Sequence, residues 1–239
     1  MKMKKVVVSF ALALMVVILT TGVASAKGQY TSGTTGVDIS WPNCNASIPS
    51  VTFGIVGVTD GQGYSTSPCI AKEASHFTNL SLYVNTGWYD KSSHINYTYP
   101  KMCAQGDWDC LAYNYGYNAG LYALNAAQSA GVSSTTWWMD VETGNTWNSD
   151  VVQNQNSLQG EYDALAASGV TTIGVYSTTT QWNTITGGWQ NNWPSWGATT
   201  WTTPKQAMTY CTGHQFTGGP SYLMQYHPKG AKLDYDVAC

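Results

Sequence analysis

The sequence predicts an α/β fold built on a parallel sheet, closed into a small barrel, and three observations point there. Short apolar or β-branched runs alternate with stretches of helical spacing. Most of the strand-like runs leave no solvent face, as strands covered on both sides require. An open doubly wound sheet is the alternative, but no G-x-G-x-x-G turn follows the first strand to mark one.

The chain has 239 residues, and its first 26 read as an export signal. Lys2, Lys4 and Lys5 precede an apolar stretch from Val6 to about Leu19, and Ala24-Ser25-Ala26 offers a small-residue cleavage site. An uncleaved anchor is the competing reading. Residues 27–35, rich in Gly, Ser and Thr, read as a flexible lead-in, and 36–239 as one domain with no linker or repeat. Strands are expected over Gly36–Ile39, Phe53–Val58, Leu80–Val84, Thr136–Val141, Thr171–Tyr176, Ala198–Trp201 and Tyr222–Tyr226. Helices are expected over Ile70–Phe77, Leu111–Ser129 and Val151–Ala167, the last stopped by Gly169. Two long irregular connections, around Tyr89–Asp109 and Thr186–Pro194, are rich in Trp, Tyr, Asn and Gly.

Composition narrows the function. Beyond the signal there is no Arg, and seven Lys against 13 acidic residues leave a net charge of about −6. Such a chain offers no basic footprint for nucleic acid or for an anionic membrane. A neutral or weakly charged ligand fits better. Six Cys behind an export signal suggest three disulfides in an oxidising compartment. Their order suggests Cys44 with Cys69, Cys103 with Cys110, and Cys211 with Cys239 among 15 possible pairings. No metal site, nucleophile elbow or phosphate loop is legible, so no cofactor is expected.

The stretch Trp137-Trp138-Met139-Asp140-Val141-Glu142 carries the most chemistry. Alternation along a strand points Asp140 and Glu142 the same way, two steps or roughly 6.6 Å apart. Paired carboxyls at such a distance suit glycoside hydrolysis, in which one protonates the leaving oxygen while another supports the positive sugar centre. A barrel puts its site on the loops at the C-terminal strand ends. Asp38, Asp60, Asn85, Asp140 with Glu142, Tyr176 and Gln225 all fall at such ends; Trp201 closes a further strand, and Tyr226 follows Gln225 on the same strand. Eleven Trp and 16 Tyr supply flat faces for stacking on sugars, with Trp41, Trp88, Trp147, Trp182 and Trp201 the candidates for a cleft.

These residues resemble glycoside hydrolase family 25, the lysozymes of N-acetylmuramidase type, and more closely a secreted actinobacterial-type branch. The resemblance rests on GVDIS at 36–40, FGIVGVTDGQGY at 53–64, SLYVNTG at 81–87, WWMDVETGNTW at 137–147, GVYSTTTQW at 174–182, and FTGGPSYLMQY with DYDVAC at the end. It implies a small TIM-like β/α barrel with irregular or missing helices, acting on the β-1,4 bond after N-acetylmuramic acid in peptidoglycan. The family's D-x-E falls on Asp140 and Glu142, with Glu142 as general acid/base and Asp140 either as nucleophile or as the group that orients the substrate's own acetamido group; Asp140 is expected to stay ionised in support of the sugar's positive charge. Its opening aspartate falls on Asp38 and its late one on Asp234, with Asp236 as the alternative. Its T-E-G appears here as Thr59-Asp60-Gly61.

The expectation is therefore a secreted, monomeric glycosidase with catalytic Glu142, Asp140, Asp38 and Asp234. Asp60, Asn85, Tyr176, Trp201, Gln225 and Tyr226 are its expected substrate contacts. It would meet a polysaccharide, with no nucleic-acid partner and no membrane association once the signal is cleaved. The alternatives are a non-catalytic glycan-binding or cell-surface protein on the same barrel, and a hydrolase of a different extracellular polysaccharide.

Overall fold

Eight strands close into a barrel in simple chain order. The computed structural model describes residues 29–239, and the export signal expected over 1–26 lies outside the described residues. The strands are β1 (Thr35–Ile39), β2 (Phe53–Gly57), β3 (Leu80–Asn85), β4 (Thr136–Asp140), β5 (Thr172–Ser177), β6 (Ser195–Ala198), β7 (Ser221–Tyr226) and β8 (Asp234–Ala238). Neighbours from β1 to β7 pair in parallel, while β8 runs antiparallel to both β7 and β1. The parallel expectation fails at this one strand for a geometric reason. A short connection out of β7 can return only as an antiparallel neighbour, whereas a parallel return needs a longer crossover.

Alternation sorts each strand between two cores. Val37, Ile39, Val56, Leu82, Val84, Trp137, Met139, Ile173 and Val175 face outward and pack beneath the helices. Phe53, Ile55, Trp138, Trp196 and Leu223 fill the barrel itself, with Tyr83 and Tyr176 packed on them. Trp138 fits because β5 carries Gly174 opposite, where a Cβ would strike its ring. This two-sided burial explains why the strand sequences read as nearly continuous apolar runs.

The helices are α1 (Ile70–Ala74), α2 (Trp108–Ser129), α3 (Val151–Ala167), α4 (Thr179–Thr186) and α5 (Pro204–Ala207). Among the described residues only α2 and α3 are long, and β1 is joined to β2 through a single 3₁₀ turn, Trp41–Asn43. The expectation of irregular or missing helices agrees with this. Asp107 caps α2 by accepting from the Cys110 amide at 3.1 Å, which starts that helix earlier than its apolar spacing suggested. Asp150 caps α3 through the Val152 amide at 2.9 Å. The α4 segment was not legible as a helix because its Thr-rich composition is weak in propensity. It is held instead by its Thr178 cap and by the buried Trp182.

Two boundaries need correction. The strand expected at Ala198–Trp201 lies at Ser195–Ala198, where both neighbouring strands offer pairing. Within the lead-in expected to be flexible, Gln29 and Tyr30 pack against the barrel, while residues 31–33 are exposed. Tyr30 sits at the foot of the barrel, edge-on to Phe53 at 4.9 Å, and its hydroxyl accepts from Trp138 Nε1 at 3.1 Å. Gln29 Nε2 donates to the Leu80 carbonyl at 2.8 Å. All six Cys pair as their order suggested, Cys44–Cys69, Cys103–Cys110 and Cys211–Cys239. No helix among the described residues is long and apolar enough to cross a membrane.

Candidate active site

The C-terminal mouth of the barrel holds a cavity of about 190 Å³. Asp38 from β1, Asp140 from β4, Glu142 just beyond β4, Tyr176 from β5, Gln225 from β7 and Asp234 from β8 all line it. Four carboxyls thus converge from three strands that are far apart in the chain. Register explains the convergence: Asp38 pairs with Asp234, Asp140 with Tyr176, and Asn85 with Asp140.

Asp140 is buried, and its Oδ2 accepts from Asn85 Nδ2. Asn85 is fixed in turn by Thr59, whose hydroxyl donates to Asn85 Oδ1 at 2.6 Å. The Asp140 carbonyl receives the Thr86 hydroxyl at 2.6 Å and Asn145 Nδ2 at 3.0 Å, which ties the following loop to the strand end. Its Oδ1 has no partner among the described residues. Burial, followed by the adjacent Glu142 charge, holds the Asp140 carboxyl well above the usual carboxylate range, against the opposing pull of Asn85. The expected charge on Asp140 thus meets a setting in which burial and a neighbouring carboxyl oppose it.

Glu142 is only half-buried and faces the cavity. Its carbonyl accepts from Trp147 Nε1 at 2.8 Å and from the Asn145 amide at 3.0 Å, so its backbone is anchored. Gln181 of α4 donates to its Oε1 at 3.4 Å and accepts from the Thr143 amide at 2.6 Å. The other two Glu differ in setting. Glu73 on α1 and Glu161 on α3 are buried with oxygens that lack partners among the described residues, and burial raises both, Glu73 to about 7.

Opposite the Asp140–Glu142 pair, Asp38 Oδ2 accepts from Gln225 Nε2 at 3.0 Å, and Gln225 Oε1 accepts from the Tyr176 hydroxyl at 2.8 Å. Burial and the Asp234 charge push Asp38 up to about 7 despite the Gln225 bond. Burial also raises Tyr176, which stays a phenol and a donor. Asp234 stands at the exposed rim, paired with His227 Nδ1 at 2.9 Å. Asp236 is completely buried on the same inner face and receives Trp196 Nε1 at 2.7 Å. Burial and the nearby Asp38 charge hold it well above its ordinary value.

Asp38 and Asp236 thus place a linked pair of raised acids inside the barrel, with a consequence for stability. An acid whose pKa rises on folding binds its proton more tightly in the folded chain. Stability is then greatest below the unfolded value, about 4, and falls as pH climbs through the folded one. For Asp38 that window runs from about 4 to about 7. Asp236→Asn keeps the size and the Trp196 bond without a chargeable group. Its melting temperature is expected to match or exceed the parent's at neutral pH, with a shallower decline from acid to neutral. Thermal melts across that range check this, and a variant that melts below the parent at neutral pH would overturn it.

Not every expected contact reaches the cavity. Asp60 is exposed outside it, with its amide donating to Ser65 Oγ at 3.0 Å. Trp201 packs edge-on to Tyr210 at 6.0 Å, and Tyr226 lies on the outer face of β7 beside Ala207 and Val237. Asn85 stands behind Asp140 rather than in the lining. Trp88 and Trp182 are wholly buried, whereas Trp41 is exposed. Sequence reasoning missed Tyr83, Asn43 and Trp196 in the cavity wall. The period of β3 could have placed Tyr83 on the inner face with Asn85.

The profile of a family described as lysozyme-like protein 1 matches residues 109–212, a span that includes Asp140 and Glu142. No curated protein matches the chain in sequence. Among solved structures, the muramidase from Acremonium alcalophilum shares 16% identity, with 86% of this chain and 93% of that one covered and a TM-score of 0.58. The bacterial lysozyme from Streptomyces coelicolor shares 16% identity over 87% and 93% of the two chains, at 0.54. A glycosyl hydrolase 25 of Streptococcus pneumoniae shares 16% over 86% and 87%, at 0.52. The chain thus shares the barrel fold of the glycoside hydrolase 25 muramidases, and its central segment matches a lysozyme-like family.

Proposed function

We propose that this chain is a glycoside hydrolase that cleaves a β-1,4-linked amino-sugar polymer, peptidoglycan first among them. The observation that carries this reading is the convergence of Asp38, Asp140, Glu142 and Asp234 on one cavity at the barrel mouth. The lysozyme-like profile match and the muramidase fold support it.

Glu142 is the accessible member of the pair, and burial opposes the charge on the other member, Asp140. Two adjacent carboxyls do not readily both ionise, so the pair has one proton to offer a substrate. Glu142 passes that proton to the glycosidic oxygen as the C–O bond breaks; water then bonds to the anomeric carbon and its proton returns to Glu142. Asp140, pinned by Asn85 at the bottom of the site, is better placed to orient the substrate's acetamido group than to attack the sugar. Asp38, held by Gln225 and Tyr176, and Asp234 at the rim position substrate and water. Export through a signal ending at Ala26 would place the enzyme outside the cell, where its three disulfides form.

The test is digestion of purified peptidoglycan, with chitin and other β-1,4 glycans alongside, read as new reducing ends. Muramic acid is expected at the new ends from peptidoglycan. If no glycan releases reducing ends, the enzymatic reading falls.

A further inference from the structure

A second cavity, of about 340 Å³, lies beside the barrel mouth and shares no lining residue with it. Its walls come from the loop after β2, the loop after β3, the loop that follows Glu142, and Tyr115 of α2. The volume falls at the small end of ligand pockets and suits one compact unit.

Its lining contains no Lys, Arg, Asp or Glu. It is rich instead in flat rings. Tyr64 and His94 stack with centroids 3.9 Å apart and planes 5° from parallel, while Tyr89 is 41% exposed. Tyr64 takes a φ of 58°, a left-handed backbone that bulky residues rarely adopt. Its hydroxyl donates to the Tyr115 carbonyl at 2.7 Å, which holds the ring in place. A strained backbone kept for the sake of one aromatic orientation suggests a use for that ring.

The pocket is also built onto the carboxylate loop. Gly144 lies two residues past Glu142, at most about 7 Å of extended chain. The Asn145 amide donates to the Glu142 carbonyl at 3.0 Å, and the Trp88 amide donates to the Thr146 carbonyl at 2.9 Å. One polymer could therefore occupy the barrel mouth and this pocket together.

We propose that this pocket is a sugar subsite that receives one uncharged N-acetylhexosamine unit of the polymer cut at Glu142. The proposal rests on the glycosidase reading and adds which unit is recognised, and where. Stacking on the rings supplies the contact, and hydroxyl and amide groups of the rim meet the sugar's polar edge. A lactyl-bearing sugar or a wall peptide brings carboxylates, and the lining has no ammonium or guanidinium to pair with them.

The experiment uses the Glu142→Gln chain, so that the probe is not cut, titrated with the N-acetylglucosamine hexamer by calorimetry. Adding Tyr89→Ala and His94→Ala, both exposed positions, is expected to weaken binding by about tenfold, the scale of a lost aromatic stack. A crystal of the hexamer complex is expected to show a sugar ring against the Tyr64–His94 pair. Affinity unchanged within about twofold, no binding of the hexamer, or sugar rings confined to the barrel mouth would each overturn the subsite. Digestion by the wild-type chain is scored separately. A chain that cuts peptidoglycan yet binds the hexamer equally well in both forms loses the subsite and keeps the enzyme. A chain that cuts nothing but loses hexamer binding in the variant loses the enzyme and keeps the subsite.

Discussion

Glu142→Gln is expected to lower turnover on peptidoglycan by about 10³-fold while leaving the fold intact, since general acid catalysis accounts for effects of about 10²–10⁴. The amide keeps the shape of the side chain and can still meet Gln181, but it cannot deliver a proton. The change also removes the charge that, after burial, does most to raise Asp140. Asp140 is then expected to titrate at a lower pH, although its burial still holds it above an ordinary carboxylate. Steady-state rates of reducing-end release, with a melting curve for each protein, decide the point. Equal rates would remove Glu142 from the chemistry, and a collapsed melting curve would reveal a structural role instead.

The largest expected effect on stability lies between α2 and α3. Gly116→Ala and Gly160→Ala should each cost about 3 kcal/mol, or roughly 10 °C in melting temperature. At Gly116 a Cβ would fall well inside contact distance of the Ser157 carbonyl, and at Gly160 it would do the same to the Tyr113 carbonyl. Both obstacles are helix backbone, so relief requires the two helices to separate. Alanine recovers about 1 kcal/mol of helix propensity at each site, which the clash outweighs. Gly144→Ala is the comparison, because a Cβ there meets nothing within 4 Å. Thermal or urea unfolding checks the contrast, and variants that melt with the parent would show that the helices adjust freely.

These helices illustrate what could be read from the chain alone. The limits of α3 follow from local signals, Asp150 as cap and a glycine just past the end. The glycines at its interface carry no such signal, because their role depends on a partner helix. Strand positions were legible for the same local reason, since two-sided burial writes apolar runs into the sequence. β6 was displaced because its short Ser-Trp-Gly-Ala segment pairs on both sides without looking like a strand. α4 was missed because tertiary burial of Trp182 stabilises a segment of weak propensity.

The site divides along the same line. Asp140 and Glu142 were visible as a pair because they are neighbours on one strand. The convergence of Asp38 and Asp234 on them, the Gln225–Tyr176 relay, and the exclusion of Asp60, Trp201 and Tyr226 depend on how the barrel closes. The amino-acid order by itself determined where six of the eight strands and the two long helices lie and which two carboxyls stand together, and it suggested the cysteine pairing. Tertiary structure alone decided the antiparallel closing strand, the burial of Asp140 and the pocket beside the barrel mouth. The reason is that propensity, periodicity and capping act over a few residues, whereas burial, carboxyl repulsion and cavity shape are set by residues that meet only once the barrel is closed.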